Sequence, residues 1–357
     1  MNIIIFLLLF VSVSGCMTTH DKKTAMHDVA RNQTIKNDKA ITNSSAESIS
    51  RPQIIEIIGK KGAGILNMFV KDDWLFVVEY DAKNTPKGVF KILDLTLPEM
   101  PIVATIPLSD QPQAMNYQDG YVYIADVLVE GVHVLDVSKP ENAVYSRFLP
   151  ERYARNISVD KNHAYIAAEE DGLKIHNVSF PMVTNIEKYK DCFALDVEVK
   201  HPYMYLACSP NFQIVDISDV DNPFLVKKID FGSDIQKVVL NDDRAYLTVA
   251  GGDLHIVDIS DPKNAFLIKT VYTAVEPAGA VDFDERFVYV GSGAGLTILD
   301  KKTLIAKHLE LNRPVWRIQV VGKYIYYLSS HTVFKIKADT INFSDLPEPP
   351  DLREPGD

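Results

Sequence analysis

The 357-residue chain lacks most of the features that usually give a function away. It has three cysteines and no Cys-x-x-Cys pair, so neither a thiolate zinc site nor a dithiol redox centre is written in it. His-Glu-x-x-His and Gly-x-Ser-x-Gly are absent as well, which removes two common local signatures of hydrolytic catalysis. Basic clusters are missing: 37 Lys and Arg stand against 48 Asp and Glu, for a net charge of −11. Nucleic-acid binding rests on phosphate contacts from a basic face, so nucleic acid is excluded as an expected partner. After residue 16 no run is long and apolar enough to span a bilayer. The stretch Gly291-Ser292-Gly293-Ala294-Gly295 imitates a phosphate cradle, but it joins two apolar strands with no helix behind it and reads as a tight loop.

The chain opens with "MNIIIFLLLFVSVSGC". Ile3 to Val13 has the length of a signal-peptide apolar region and is too short to cross a membrane. Val13-Ser14-Gly15-Cys16 resembles a bacterial lipobox, which implies a signal peptide over 1–15, cleavage before Cys16 and lipid attachment, including palmitate, at that cysteine. No Lys or Arg precedes the apolar run, and an ordinary cleaved signal or an uncleaved anchor is the alternative. Several acyl chains anchor stably, since each buried methylene contributes about 0.8 kcal/mol. Met17 in place of Asp resembles the pattern of lipoproteins sent to the outer membrane. Residues 16–50 are polar and nearly free of aromatics, and they are expected to be a flexible tether. The acidic, proline-rich 344–357 is expected to be a disordered tail.

Between these ends, 51–343 repeats itself. "VHVLDVSKPENAV" (132–144), "FQIVDISDVDNPFLV" (212–226) and "LHIVDISDPKNAFLI" (254–268) are plain copies; 90–103, 173–183, 296–306 and 333–339 are weaker ones. A second ladder keeps step with the first. Each copy follows a short apolar strand carrying an aromatic: Phe76, Tyr123, Tyr165, Tyr205, Tyr246, Tyr289 and Tyr326, spaced 47, 42, 40, 41, 43 and 37 residues apart. A two-residue polar or turn-forming pair precedes each of these strands, as Asp119-Gly120 does, which is the mark of a tight hairpin. Each unit therefore reads as four strands, A to D, at the period of a propeller blade. The expected fold is all-β, a seven-bladed propeller with four-stranded blades. An orphan strand-like segment at 52–59 would supply the outer strand missing after 333–339 and close the ring, removing exposed sheet edges.

The phrase and its spacing resemble the LVIVD-repeat family of bacterial and archaeal surface or exported β-propellers, over about 52–340. The resemblance implies a propeller and an extracytoplasmic setting. It implies no enzyme activity, because that family shares no catalytic constellation.

Asp258 looks like a catalytic carboxylate until its counterparts are counted: Asp94, Asp136, Asp216 and Asp300, with Asn177 and Lys337 in the other two units. A catalytic group is needed once. Asp and Asn cap a backbone N–H about two residues on, so these residues are expected to close the C-to-D turns. Function should sit where the repeats differ. One parity of each A strand is expected to face neighbouring blades and the other the central channel. The channel would then carry Asp196, Glu198 and Asp282 with Lys237, Arg317 and Gln319, a candidate ligand-binding set, although a hydrated channel is the plainer reading. The B-to-C loops and D-to-A connections share one mouth, and the first B-to-C loop, 79–88, is the longest. Candidate partner-binding residues there are Tyr80, Lys83, Asn84, Lys87, Arg152, Arg155, Glu276, Arg313 and Trp316. The hairpin register sets Leu195 opposite Cys208 and leaves Cys192 facing away, so unpaired cysteines are expected. The sum is a monomeric, lipid-anchored envelope propeller that needs no cofactor and binds a protein or glycan partner through its loop face. The alternative is a metal-dependent hydrolase or lyase in the channel.

Overall fold

Every one of the seven expected hairpins forms with the expected turn. Lys71 pairs with Trp74, Gln118 with Tyr121, Asp160 with His163, Lys200 with Tyr203, Asn241 with Arg244 and Val321 with Tyr324, and Asp284 N–H donates to the Phe287 carbonyl. The first turn residue takes a positive φ at Asp72, Asp119, Lys161, Asp242 and Gly322, and at Asp119-Gly120 both do. The molecule is described by a computed structural model covering 52–58, 64–80, 88–108, 112–126, 131–179, 184–273 and 280–349, without the side chains of 184–188. The chain divides into two units, 1–48 and 49–357, and all described residues belong to the second. Cys16, Lys83, Asn84, Lys87 and Glu276 lie outside the described residues.

Each hairpin extends into a four-stranded antiparallel sheet, and there are seven such sheets. In chain order the blades span 64–108, 112–150, 156–189, 194–230, 235–272, 281–310 and 317–337, numbered here 1 to 7. The seventh blade takes its outer strand from the other end of the chain: Ile54–Ile58 pairs antiparallel with Thr332–Lys337, Ile54 opposite Ile336. Each inner strand lies against the next, and the inner strand of blade 7 (Arg317–Val321) meets that of blade 1 (Gly64–Lys71), so the ring is closed.

The alternation of the strands gives both faces of each blade to the core. One apolar cluster fills each gap between blades. The ladder aromatics sit in these gaps, all between 1% and 6% exposed. Outer strands are edges, and an open edge invites pairing with another chain. Six of the seven carry a register irregularity that bends the strand. The exception, Ala306–Glu310 in blade 6, is covered: His308 N–H donates to the Pro347 carbonyl at 2.8 Å. Phe343 and Leu346 pack on the same blade, with Phe343 4.9 Å from the Phe287 ring. The described part of the acidic tail, 344–349, is thus tied down as an edge cover, because an unpaired strand N–H and an apolar gap await it.

Candidate functional site

The C-to-D turns close as their sequence suggested. Asp258 Oδ1 accepts the Ser260 N–H at 2.9 Å and the Ser260 hydroxyl at 2.6 Å. Asp94, Asp136 and Asp216 repeat this pair of bonds onto Thr96, Ser138 and Ser218; Asn177 caps Ser179, and Asp300 caps Lys302 and Thr303. These bonds favour the carboxylate, and they hold Asp216, Asp258 and Asp300 below the ordinary aspartate range.

The inner strands are different. Alternation there gives one parity to the preceding blade and the other to the following blade. Val197 packs in the gap between blades 3 and 4, and Val238 in that between 4 and 5. Three of the six residues expected to line the channel, Asp196, Asp282 and Gln319, reach the next inner strand instead. The reason is geometric: an inner strand turns its edge to the axis and a face to each neighbour. That edge leaves backbone groups without a strand partner, and polar side chains from the preceding blade bind them. Asp196 in blade 4 accepts the Val238 N–H of blade 5 at 2.8 Å. Asp282 in blade 6 accepts the Val320 N–H of blade 7 at 2.6 Å. Gln319 in blade 7 bridges both backbone groups of Val70 in blade 1, its amide giving 2.7 Å to the carbonyl. Asn67 reaches the Gln113 carbonyl of blade 2, and Asn156 donates to Asp196. Asp196, Asp282 and Gln319 therefore clip neighbouring blades together.

Burial pushes the Asp196 and Asp282 carboxyls above their ordinary range, against the pull of Lys237 and these backbone bonds. The side chain of Glu198, two residues beyond Asp196, makes no hydrogen bond among the described residues. Burial and the neighbouring Asp196 charge push its carboxyl up to about 8. Among the described residues no group of three His, Cys, Asp or Glu side chains is placed to hold a metal ion.

At the loop-bearing mouth, Trp316 is exposed immediately before the inner strand of blade 7. Phe193, which sequence reading passed over, is 43% exposed immediately before that of blade 4. Arg313 stacks over Phe334 at 4.5 Å, Arg152 lies over Tyr153 at 4.7 Å, Arg155 pairs with Glu169 at 2.8 Å, and Tyr80 is half-buried at the end of its strand. Phe193 is held by a feature that contradicts the sequence expectation: Cys192 and Cys208 form a disulfide, with Cα atoms 5.3 Å apart. A bulge between Ala194 and Asp196 puts Ala194, not Leu195, opposite Cys208 and curls the chain back, bringing Cys192 within reach.

Beyond the equivalent strand positions of His133 and His255, which the sequence marks as packing residues, the third strands of blades 1 to 6 carry a belt of buried or half-buried polar groups three residues before the turn-capping position. Lys91 pairs with Glu79, His133 with Asp126, and Lys174 with Glu151 at 3.6 Å, where His176 also meets Glu151 at 2.8 Å. Gln213 accepts the Tyr189 hydroxyl at 2.7 Å, and His255 contacts the Thr270 hydroxyl at 2.9 Å. A polar residue inside an apolar strand, recurring in six of the seven repeats, was the available signal. Each is satisfied within its own blade or by the adjoining one, which marks the belt as structural. In the 291–295 loop the Ser292 hydroxyl accepts the Gly295 N–H at 3.2 Å, so the loop spends its own donors.

Residues 151–182, 193–230 and 232–273 match the LVIVD repeat, covering blades 3, 4 and 5, so the chain carries LVIVD repeats within a seven-bladed propeller. No curated protein matches it. Among solved structures it is similar to the β-propeller domain of Myceliophteria thermophila Cps50 (Swd1), at 11% identity and a TM-score of 0.65, over 80% of this chain and 99% of that one. It is also similar to the computationally designed Ika8 protein, at 11% identity and a TM-score of 0.53, over 79% and 99% of the two chains. At such identities the likeness is one of fold.

Proposed function

Starting from a closed ring that carries LVIVD repeats, we propose that this chain is a lipid-anchored protein of the bacterial envelope. In this reading it is held at the outer membrane through Cys16 and binds a protein or glycan partner with the loop-bearing face of its propeller. The observation that carries the reading is the pair of exposed aromatics, Trp316 and Phe193, on that face, with Arg152, Arg155 and Arg313 on the same face. Aromatic and arginine side chains are the usual anchors of interfaces. The lipobox-like Val13-Ser14-Gly15-Cys16 supports the membrane anchor. The rival, a metal-dependent hydrolase or lyase in the channel, draws little support, since the oxygens of Asp196 and Asp282 are committed to the Asn156 amide and to backbone N–H groups.

Two experiments test the proposal. Replacing Cys16 by Ala should abolish palmitate labelling and release the protein from the membrane fraction; retained labelling would refute the anchor. Crosslinking of intact cells carrying a tagged full chain should recover one envelope partner reproducibly. Recovery should fall at least several-fold in a Phe193→Ala, Trp316→Ala double variant, and an unchanged yield would refute the face assigned here.

A further inference from the structure

The outer strand of blade 6, Ala306–Glu310, is set apart by its shape and its charge. It pairs with Gly295–Asp300 over five consecutive residues without a bulge, so its edge is flat where the other six outer strands bend. A flat edge is the form that takes up a further strand. The edge is also basic: residues 301–313 hold Lys301, Lys302, Lys307 and Arg313 against the single acid Glu310, in a chain whose net charge is −11. Against it lies 341–349, which carries Asp345 and Glu348 and no Lys or Arg.

That segment covers the edge without pairing to it as a strand. Phe343–Asp345 is a 3-10 turn, and the Asp345 and Leu346 N–H groups bond back to the Asn342 and Phe343 carbonyls. Among the described residues one backbone bond joins the segment to the strand, from the His308 N–H to the Pro347 carbonyl at 2.8 Å. A residue of an antiparallel strand points its N–H and its C=O to the same side, so the His308 carbonyl faces outward too. No described group donates to it. The rest of the hold is apolar. Phe343 and Leu346, each half-buried, pack on the cluster between blades 6 and 7 that includes Leu309, with the Phe343 and Phe287 rings 4.9 Å apart. One backbone bond and two half-buried side chains make a hold that opens locally at little cost. A paired strand would also satisfy the His308 carbonyl, and an acidic one would be drawn to the basic edge.

We propose that the edge of blade 6 is a docking site for an extended acidic segment of a partner protein, whose aromatic and aliphatic side chains take the seats of Phe343 and Leu346. Residues 341–349 occupy that site in cis as an exchangeable strap. The strap blocks strand addition until a segment that pairs more fully displaces it. The site is independent of the loop-face partner.

The probe is a synthetic peptide with the sequence of 341–349, titrated by calorimetry into the full chain and into a full-length Phe343→Ser, Leu346→Ser variant whose strap has lost its apolar hold. The variant should bind one peptide per chain with a dissociation constant below about 1 mM. The parent should bind at least about tenfold more weakly, because its tethered strap competes at a millimolar effective concentration. Leu346→Ser alone serves if the double variant is unstable. A peptide with serine in place of its phenylalanine and leucine should bind neither protein. In the strap variant, adding His308→Pro removes the outward N–H at an edge position and should weaken binding at least about tenfold. Adding Lys307→Glu instead keeps the buried His308 side chain and should weaken it about threefold or more. Equal binding by parent and variant, no binding at about 5 mM peptide, or binding indifferent to both edge substitutions would overturn the proposal. Dimerisation of the strap variant in place of peptide binding would overturn it as well, by assigning the edge to a second copy.

Discussion

The C-to-D turns and the inner strands make opposite use of the same carboxylate chemistry. At the turns Asp258 and Asp216 are partly exposed, take two short bonds from the residue two positions on, and are held in the charged form. At the axis Asp196 and Asp282 reach across to another blade, and burial works against their charge. The turn is a local device, complete within five residues, and so it repeats. The clip depends on what the next blade presents, about forty residues further on, and so it varies around the ring. Repetition marks structure that each blade can make alone, and variation marks what the ring makes together.

That contrast can be broken or sharpened by substitution. The largest effect should come from the crosslink at the end of the blade 4 hairpin. Removing the disulfide with Cys192→Ser and Cys208→Ser should cost about 3 kcal/mol in urea unfolding, given the 16-residue separation. Asp196→Ala strands the Val238 N–H and the Asn156 amide between two blades and should cost about 2 kcal/mol. Glu198→Gln should act in the other direction and depend on pH. The Glu198 carboxyl rises from 4.5 to about 8 on folding, so between those values the native state holds more protons than the unfolded one, and stability falls as pH rises. The glutamine variant should equal the parent near pH 4 and exceed it by up to about 2 kcal/mol above pH 8, allowing for the channel's contact with water. A difference that is flat with pH would refute an uncharged Glu198 in the folded state. The smallest effect should be Asp258→Ala, about 1 kcal/mol at neutral pH. With its pKa depressed on folding, this contribution is present above the unfolded value and disappears as pH falls through the folded one. An Asp258→Ala cost larger than that of Asp196→Ala would reverse the ranking of inter-blade over local contacts.

Much of the fold could be read from residues alone because its signals are local. The aromatic ladder from Phe76 to Tyr326 and the two-residue turns set the hairpins, and the displaced strand at 54–58 foretold how the ring closes. The candidate channel residues were found by counting from that ladder, yet their orientation was not. A count in twos assigns a face, and it does not say that both faces of an inner strand meet blades. The disulfide was missed because one bulged residue, Leu195, shifts the register by one and carries Cys192 round to Cys208. Glu79, Glu151 and Lys174 were passed over as ordinary charges, since their burial depends on neighbouring strands.

By itself the sequence determined the blades, their number, their order and the role of Asp258, because strand alternation, tight turns and Asp caps act over a few residues. The tertiary structure alone decided which charges are committed and which are left over. Asp196 is occupied because Val238 presents an unpaired N–H to it, and Asp282 because Val320 does. Those matches are made between blades, where separation along the chain carries no information about distance in space.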